Sequence, residues 1–375
     1  MSLSSPSSGP LVVLPATALS DLFRLLVADG YQPVGPTLRD GYLILDRLSG
    51  PEDLPQGWTT DSEAGVCRLR PREDAAYFGF NLGQESWKKF LYPSRLAVVQ
   101  ARREGEAISY QAVPHEAPPY ALIGVRACDL AALAVQDRIL CQGPFLDPDY
   151  AARRQSALII AVNCTEADAA CFCASLGCGP AVARGYDLAL TELCDERGHV
   201  FLVQSGSARG EQLLADLPCQ PVEGGQEERA TAAIAAAAAG QTRSLATADL
   251  PGLLYDRLEH PHWDEVAARC LSCGNCAMVC PTCFCFRMVE ETDLDNTTAT
   301  RWREWEVCLN LDHSYIHGGW LRPSGKARFR QWLTHKLAAW LDQFGCLGCT
   351  GCGRCLAWCP AAIDLTAEVQ ALREI

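Results

Sequence analysis

Two stretches of the chain repeat one cysteine pattern. Cys270, Cys273, Cys276 and Cys280 follow C-x2-C-x2-C-x3-C and are closed by Pro281; Cys349, Cys352, Cys355 and Cys359 repeat it and are closed by Pro360. Steps of two residues let three sulfurs of one tight loop reach three irons of a single cubane. The fourth cysteine points away, and in two-cluster ferredoxins it ligates the other cluster. The expected assignment is therefore crossed. Cys270, Cys273, Cys276 and Cys359 would hold one 4Fe–4S cluster, and Cys349, Cys352, Cys355 and Cys280 a second. Structural zinc is the competing reading, but zinc sites usually take two C-x2-C pairs far apart, not four cysteines in one run ending in proline. Gly274, Gly351 and Gly353 leave room around these sulfurs and free N–H groups to bond them.

The chain has 21 cysteines in all. An odd count, close spacing and the lack of a signal peptide argue for thiolate ligands over a disulfide framework. Cys128 follows the apolar run 121–125 (ALIGV), and Cys164 follows 157–162 (ALIIAV). If those runs are parallel neighbouring strands, both thiols lie at their carboxyl ends, where open α/β sheets bind ligands. Cys171 and Cys173 follow in a loop that can fold back. These four are the candidates for a third 4Fe–4S cluster, set against the ordinary role of cysteine as a small core residue. Cys283, Cys285 and Cys308 are expected to pack beside the clusters. As ligands they would lack a fourth donor, for which His260 and His262 are the alternatives. Cys346 falls outside the register that ends in C-P and is read as a bystander. Cys67, Cys141, Cys178, Cys194 and Cys219 stand singly and are read as structural.

Positioning these thiols takes two kinds of chain. Residues 11–255 read as a mixed α/β domain built on the two buried strands. A helix is expected over 129–140, with Asp129 able to cap its start. Residues 186–190 and 199–203 read as a hairpin, and an alanine-rich helix as spanning 230–239. From 256 to 375 cysteine and tryptophan become dense and periodicity fades, as when chain wraps around inorganic cores. The fold class is thus α+β: a mixed α/β N-terminal domain and a ferredoxin-like, helical and loop-rich 4Fe–4S dicluster C-terminal domain. Residues 1–10, rich in Ser, Pro and Gly, read as a disordered terminus.

Charge and missing motifs narrow the function. With 32 Lys+Arg against 45 Asp+Glu the net charge is −13, which disfavours nucleic acid as a partner. No apolar run approaches the ~20 residues of a membrane span. A cytoplasmic protein without a transmembrane segment is expected. There is no G-x-G-x-x-G after a strand, no Walker A and no H-E-x-x-H, so neither flavin nor nucleotide nor catalytic residues are expected on this chain. Several clusters without a catalytic constellation read as an electron carrier. A stand-alone redox enzyme would need a substrate site near Cys128 and Cys164, and a cluster-based sensor would need an output domain.

Five segments carry a family resemblance: GVRACDLAAL (124–133), CFC (171–173), HPHWDEVAARCLSCGNCAMVCPTCFC (260–285), RPSGKARFRQWLTHK (322–336) and GCGRCLAWCPAAI (351–363). Together they resemble the beta subunit of cytoplasmic nickel–iron hydrogenases of the sulfhydrogenase type, and the A subunit of anaerobic sulfite reductase. Cys178 and Cys346 lie outside that pattern. The resemblance implies an iron–sulfur electron-transfer subunit. It would sit between a flavoprotein diaphorase subunit that handles NAD(P)H and the small and large subunits of a hydrogenase, or the subunits of a sulfite reductase.

Overall fold

The computed structural model describes residues 9–81, 83–114 and 118–374. Residues 1–8 of the terminus expected to be disordered lie outside the described residues. Among the described residues, an eight-stranded sheet runs in the order Gln220–Pro221, Leu11–Pro15, Gly198–Ser205, Leu188–Asp195, Leu158–Val162, Tyr120–Val125, Gln32–Arg39, Tyr42–Arg47. Its centre is the strand Leu158–Val162, buried along its whole length and paired parallel to both neighbours. Strands covered on both faces read as unbroken aliphatic runs, which is the pattern of both central strands.

The helices Ala127–Leu140 and Pro148–Ser156 form the crossover between the two central strands. The first starts earlier than expected. Arg126 is its N-cap, and Asp129 sits one turn in, where its carboxylate accepts from the Arg126 backbone N–H at 3.4 Å. The hairpin is Leu188–Asp195 against Gly198–Ser205, and the alanine-rich helix spans Gln226–Ala239. On the other helix packed here, Leu19–Ala28, Leu19, Leu22, Phe23 and Leu26 fall on one face and are all buried.

A second sheet of four strands joins distant chain. The hairpin Phe286–Thr292 and Thr298–Trp305 adds to Arg95–Glu104 and Ala107–Ala112. Regular structure in 286–305 has no clear mark in the sequence: Phe286–Thr292 is polar and almost wholly exposed, and Thr298–Trp305 is mostly half-buried, so neither shows a buried alternation.

Two cores result. One lies on the large sheet around Leu22, Leu122, Ile160 and Phe201. The other gathers Leu250, Trp263, Phe329, Trp332, Leu337, Leu356 and Val369, and draws in Phe172 from the N-terminal half. Burying each such side chain is worth about 1.5–3 kcal/mol. The second core packs directly against Cys270, Cys276, Cys349, Cys355 and Cys359. Among the described residues no helix is long and apolar enough to cross a membrane.

Candidate iron–sulfur sites

The repeated motif folds into two matching loops. Cys270 ends the helix His262–Arg269, and two residues on Ser272 takes a positive φ of 52° and donates its N–H to the Cys270 sulfur at 3.4 Å. In the second loop Gly351 holds the same place, with φ 68° and its N–H on the Cys349 sulfur at 3.5 Å. Gly274 and Gly353, at φ 76° and 72°, then turn the chain into the short helices Asn275–Met278 and Arg354–Ala357 that carry Cys276 and Cys355. Only glycine adopts that conformation without cost. The spacing of two in the sequence is thus a loop geometry occurring twice.

The last cysteine of each loop crosses over. Burial, then the charges of Cys270, Cys359 and Cys273, push the Cys276 thiol up. The same four sulfurs line an otherwise largely apolar cleft of about 460 Å³ with Leu309 and Trp332. Around Cys355, burial and then Cys349, Cys352 and Cys280 have the same effect. The structure therefore gathers Cys359 with the first loop and Cys280 with the second. Four thiols forced together raise one another's pKa, and a cationic core that takes them as thiolates relieves that cost. The donor sets thus fit iron–sulfur clusters, which would supply one-electron redox chemistry. Among the described residues no three or more His, Cys, Asp or Glu side chains converge closely enough to hold a single ion.

The N-terminal cysteines also meet. The strands before Cys128 and Cys164 are parallel neighbours, although Cys128 sits in the first turn of the following helix. Burial, followed by Asp168, Cys173, Cys164 and Cys352, pushes the Cys171 thiol up. Cys173 is pushed up to about 12, mainly by burial, with Cys164, Cys352 and Cys178 adding to it against a 3.2 Å hydrogen bond from the Gln241 amide. Cys128 is raised by burial, Asp129, Cys173 and Cys352. Cys352 therefore lies between its own loop and this group, which its sequence position did not suggest. Burial, Cys352 and Cys346 raise Cys178, so these two unassigned thiols also lie at this junction. A polar cleft of about 290 Å³ opens beside Cys164, lined by Arg126, Glu166 and Asp168.

Cys283, Cys285 and Cys308 divide: Cys283 lies against Cys280 and Lys336, while Cys285 and Cys308 pair with each other. Cys285 is held down to about 4, first by a hydrogen bond to Cys308 and also by the imidazole of His313. His260 and His262 are not donors there: His262 bonds Glu368 at 2.7 Å and Glu265 at 3.1 Å, and His260 Nδ1 accepts from the His262 N–H at 3.2 Å.

Four buried cations stand among the sulfurs, and none was singled out from the sequence. Lys336, 5% exposed, lies on a π-helical turn, His335–Ala339, set in the helical run after Gly325. Its ammonium donates to the Cys280 sulfur at 3.2 Å, the Cys283 sulfur at 3.6 Å, Thr282 Oγ1 at 3.2 Å and the Gly348 carbonyl at 2.8 Å. The Cys283 thiol, together with this ammonium, holds Cys280 well below the ordinary thiol range. Lys88 bonds the carbonyls of Cys280 and Cys283 at 3.1 and 3.0 Å and lies 4.0 Å over the Trp305 ring. Arg354 pairs with Asp129 at 2.9 Å and donates to the Glu85 carbonyl at 2.9 Å; against burial, Asp129 and Cys352 hold it in its charged form. Arg126 donates to the carbonyls of Phe78 and Phe80 and reaches Cys164 at 3.9 Å.

Comparison with known proteins agrees with the loops. Residues 269–363 match a family model described as a 4Fe-4S dicluster domain. The chain is also similar to the sulfhydrogenase 2 subunit beta of Pyrococcus furiosus, 31% identical over 266 residues, covering 68% of this chain and 74% of that protein. No solved structure matches it.

Proposed function

The chain belongs to the sulfhydrogenase beta-subunit family, and from that premise we propose that it is an electron-transfer subunit of a cytoplasmic hydrogenase complex. It relays electrons between a flavoprotein subunit that handles NAD(P)H and a nickel–iron hydrogenase module. Residues 256–375 form the dicluster unit. Cys270, Cys273, Cys276 and Cys359 bind one 4Fe–4S cluster, and Cys349, Cys352, Cys355 and Cys280 bind the other. Residues 11–255 form the α/β unit, whose Cys128, Cys164, Cys171 and Cys173 bind a third.

The observation that carries this reading is the exchange of last cysteines, with Cys359 among the first loop's thiols and Cys280 among the second's. That exchange puts two redox centres next to each other, and Cys352 brings the third within reach. Apolar packing by Trp332, Phe329 and Leu356 covers one side of these cysteines, while Cys273 stays exposed. A sulfite reductase partner is the alternative, and the sulfhydrogenase relative favours the hydrogenase.

A carrier without its partners should accept electrons and do nothing with them. The cluster-loaded chain, purified anaerobically, should be reduced by dithionite and be inert toward H2, NAD(P)H and sulfite. Steady turnover of any of these by the chain alone would make it an enzyme and overturn the reading.

A further inference from the structure

Around the first loop's sulfurs, the donors are backbone amides: Ser272 N–H on Cys270 and Ile363 N–H on Cys359 at 3.3 Å. The second set differs. Its Cys349 accepts from the Gly351 N–H, but its Cys280 takes the Lys336 ammonium at 3.2 Å and lies 3.0 Å from the Thr282 hydroxyl. Among the described residues, Lys336 has two sulfurs, a hydroxyl and a carbonyl as hydrogen-bond partners and no carboxylate. Arg354 shares its charge with Asp129. Lys336 and Lys88, which bonds the Cys280 and Cys283 carbonyls, are therefore the positive charges at the second set with no carboxylate partner among the described residues. Lys336 is the one bonded to a sulfur of the set, buried where the dielectric is low and its field is strong.

We propose that Lys336 biases where a relayed electron rests: its ammonium on the Cys280 sulfur makes the site of Cys349, Cys352, Cys355 and Cys280 easier to reduce than the site of Cys270, Cys273, Cys276 and Cys359. The inference rests on the proposed crossed ligation. Reduction adds one negative charge to a site, and a fixed cation bonded to a ligating sulfur stabilises that charge and raises the potential. The step is the transfer of one electron from the first site to the second. No bond forms or breaks, and Lys336 keeps its proton throughout. Lys336 is a positioning and tuning residue, acting through Cys280.

The test is an EPR-monitored potentiometric titration of the full, iron-loaded chain, with dithionite as reductant, on wild type, Lys336→Met and Lys336→Arg. Cys273→Ser, which alters the first site, identifies which wave belongs to it. The expected result is that the second site of the wild type has the more positive potential. Lys336→Met should move that wave to more negative potential and leave the first wave in place, and Lys336→Arg should restore it. If Lys336→Met loads iron poorly, Lys336→Gln, which keeps a donor and loses the charge, should show the same shift. Unchanged potentials in the neutral variants, or an equal shift in Lys336→Arg, would overturn the proposal. A wild-type chain holding fewer than about eight irons, four per cluster, would instead remove the ligation on which it rests.

Discussion

Gly351 and Cys173 meet backbone to backbone. The N–H of Phe172 donates to the Gly351 carbonyl at 2.9 Å, and a Cβ on Gly351 would stand 2.6 Å from both the nitrogen and the Cα of Cys173. The second cysteine loop is thereby seated on the CFC loop of the N-terminal half. Gly351→Ala should break this seating twice over, since φ 68° strains any side chain and the methyl has nowhere to go. A loss of about 1–3 kcal/mol is expected, read as a lower melting temperature together with iron lost near Cys352. A variant that melts and loads iron like the wild type would show that the contact is not tight.

Cys359→Ser should damage the centre of the loop it is remote from in sequence. Burial raises the Cys270 thiol against the Ser272 N–H, with Cys359 adding to the rise, and Cys359 acts likewise on Cys276. The EPR signal of the first loop's cluster should change while that of the Cys349 loop persists. Damage confined to the Cys349 loop would reverse the crossed assignment.

Much of this was legible in the sequence, for physical reasons. The cysteine spacing is itself the loop geometry, so the two matching loops could be written from it. The buried strands Tyr120–Val125 and Leu158–Val162 were visible because both faces are covered and every residue is apolar. Lys336, Lys88 and Arg354 were not visible. A buried cation carries no local signature, and each reaches a partner in a distant segment: Lys88 the Cys283 carbonyl, Lys336 the Cys280 sulfur and Arg354 the Glu85 carbonyl. The strand Ala107–Ala112 was missed because every residue of it is exposed, leaving no alternation to read.

Asp364 ties the end of the second loop to the N-terminal half. Its carboxylate caps the helix Leu365–Ala371 through the Thr366 N–H at 2.9 Å and pairs with Arg243 at 2.6 Å. Asp364→Ala should cost about 1–2 kcal/mol. Burial alone would raise this carboxyl, but Arg243 and Thr366 hold it below its ordinary value. Stability from such a group is present above the unfolded pKa of ~3.9 and lost only as pH falls through the lower folded value. The gap in melting temperature should therefore be flat between about pH 6 and pH 8, well above both values. A gap that closes within that range would contradict the assignment.

Iron removal should unfold the loops and spare the large sheet. The helices Asn275–Met278 and Arg354–Ala357 have four residues each, too few to persist without the metal that holds their cysteines. Hydrogen exchange of the chelated chain should show protection lost over residues 270–285 and 346–363 while Leu158–Val162 stays protected. Equal protection with and without iron would mean that the loops are held by the protein alone.

The central claim is that this chain is a wire of several cubanes, and iron counting with EPR on the anaerobically loaded full-length chain tests it most directly. The account predicts about twelve irons per chain, four for each of three clusters, with interacting signals on full reduction. Fewer than about eight irons, or zinc in place of iron, would contradict it.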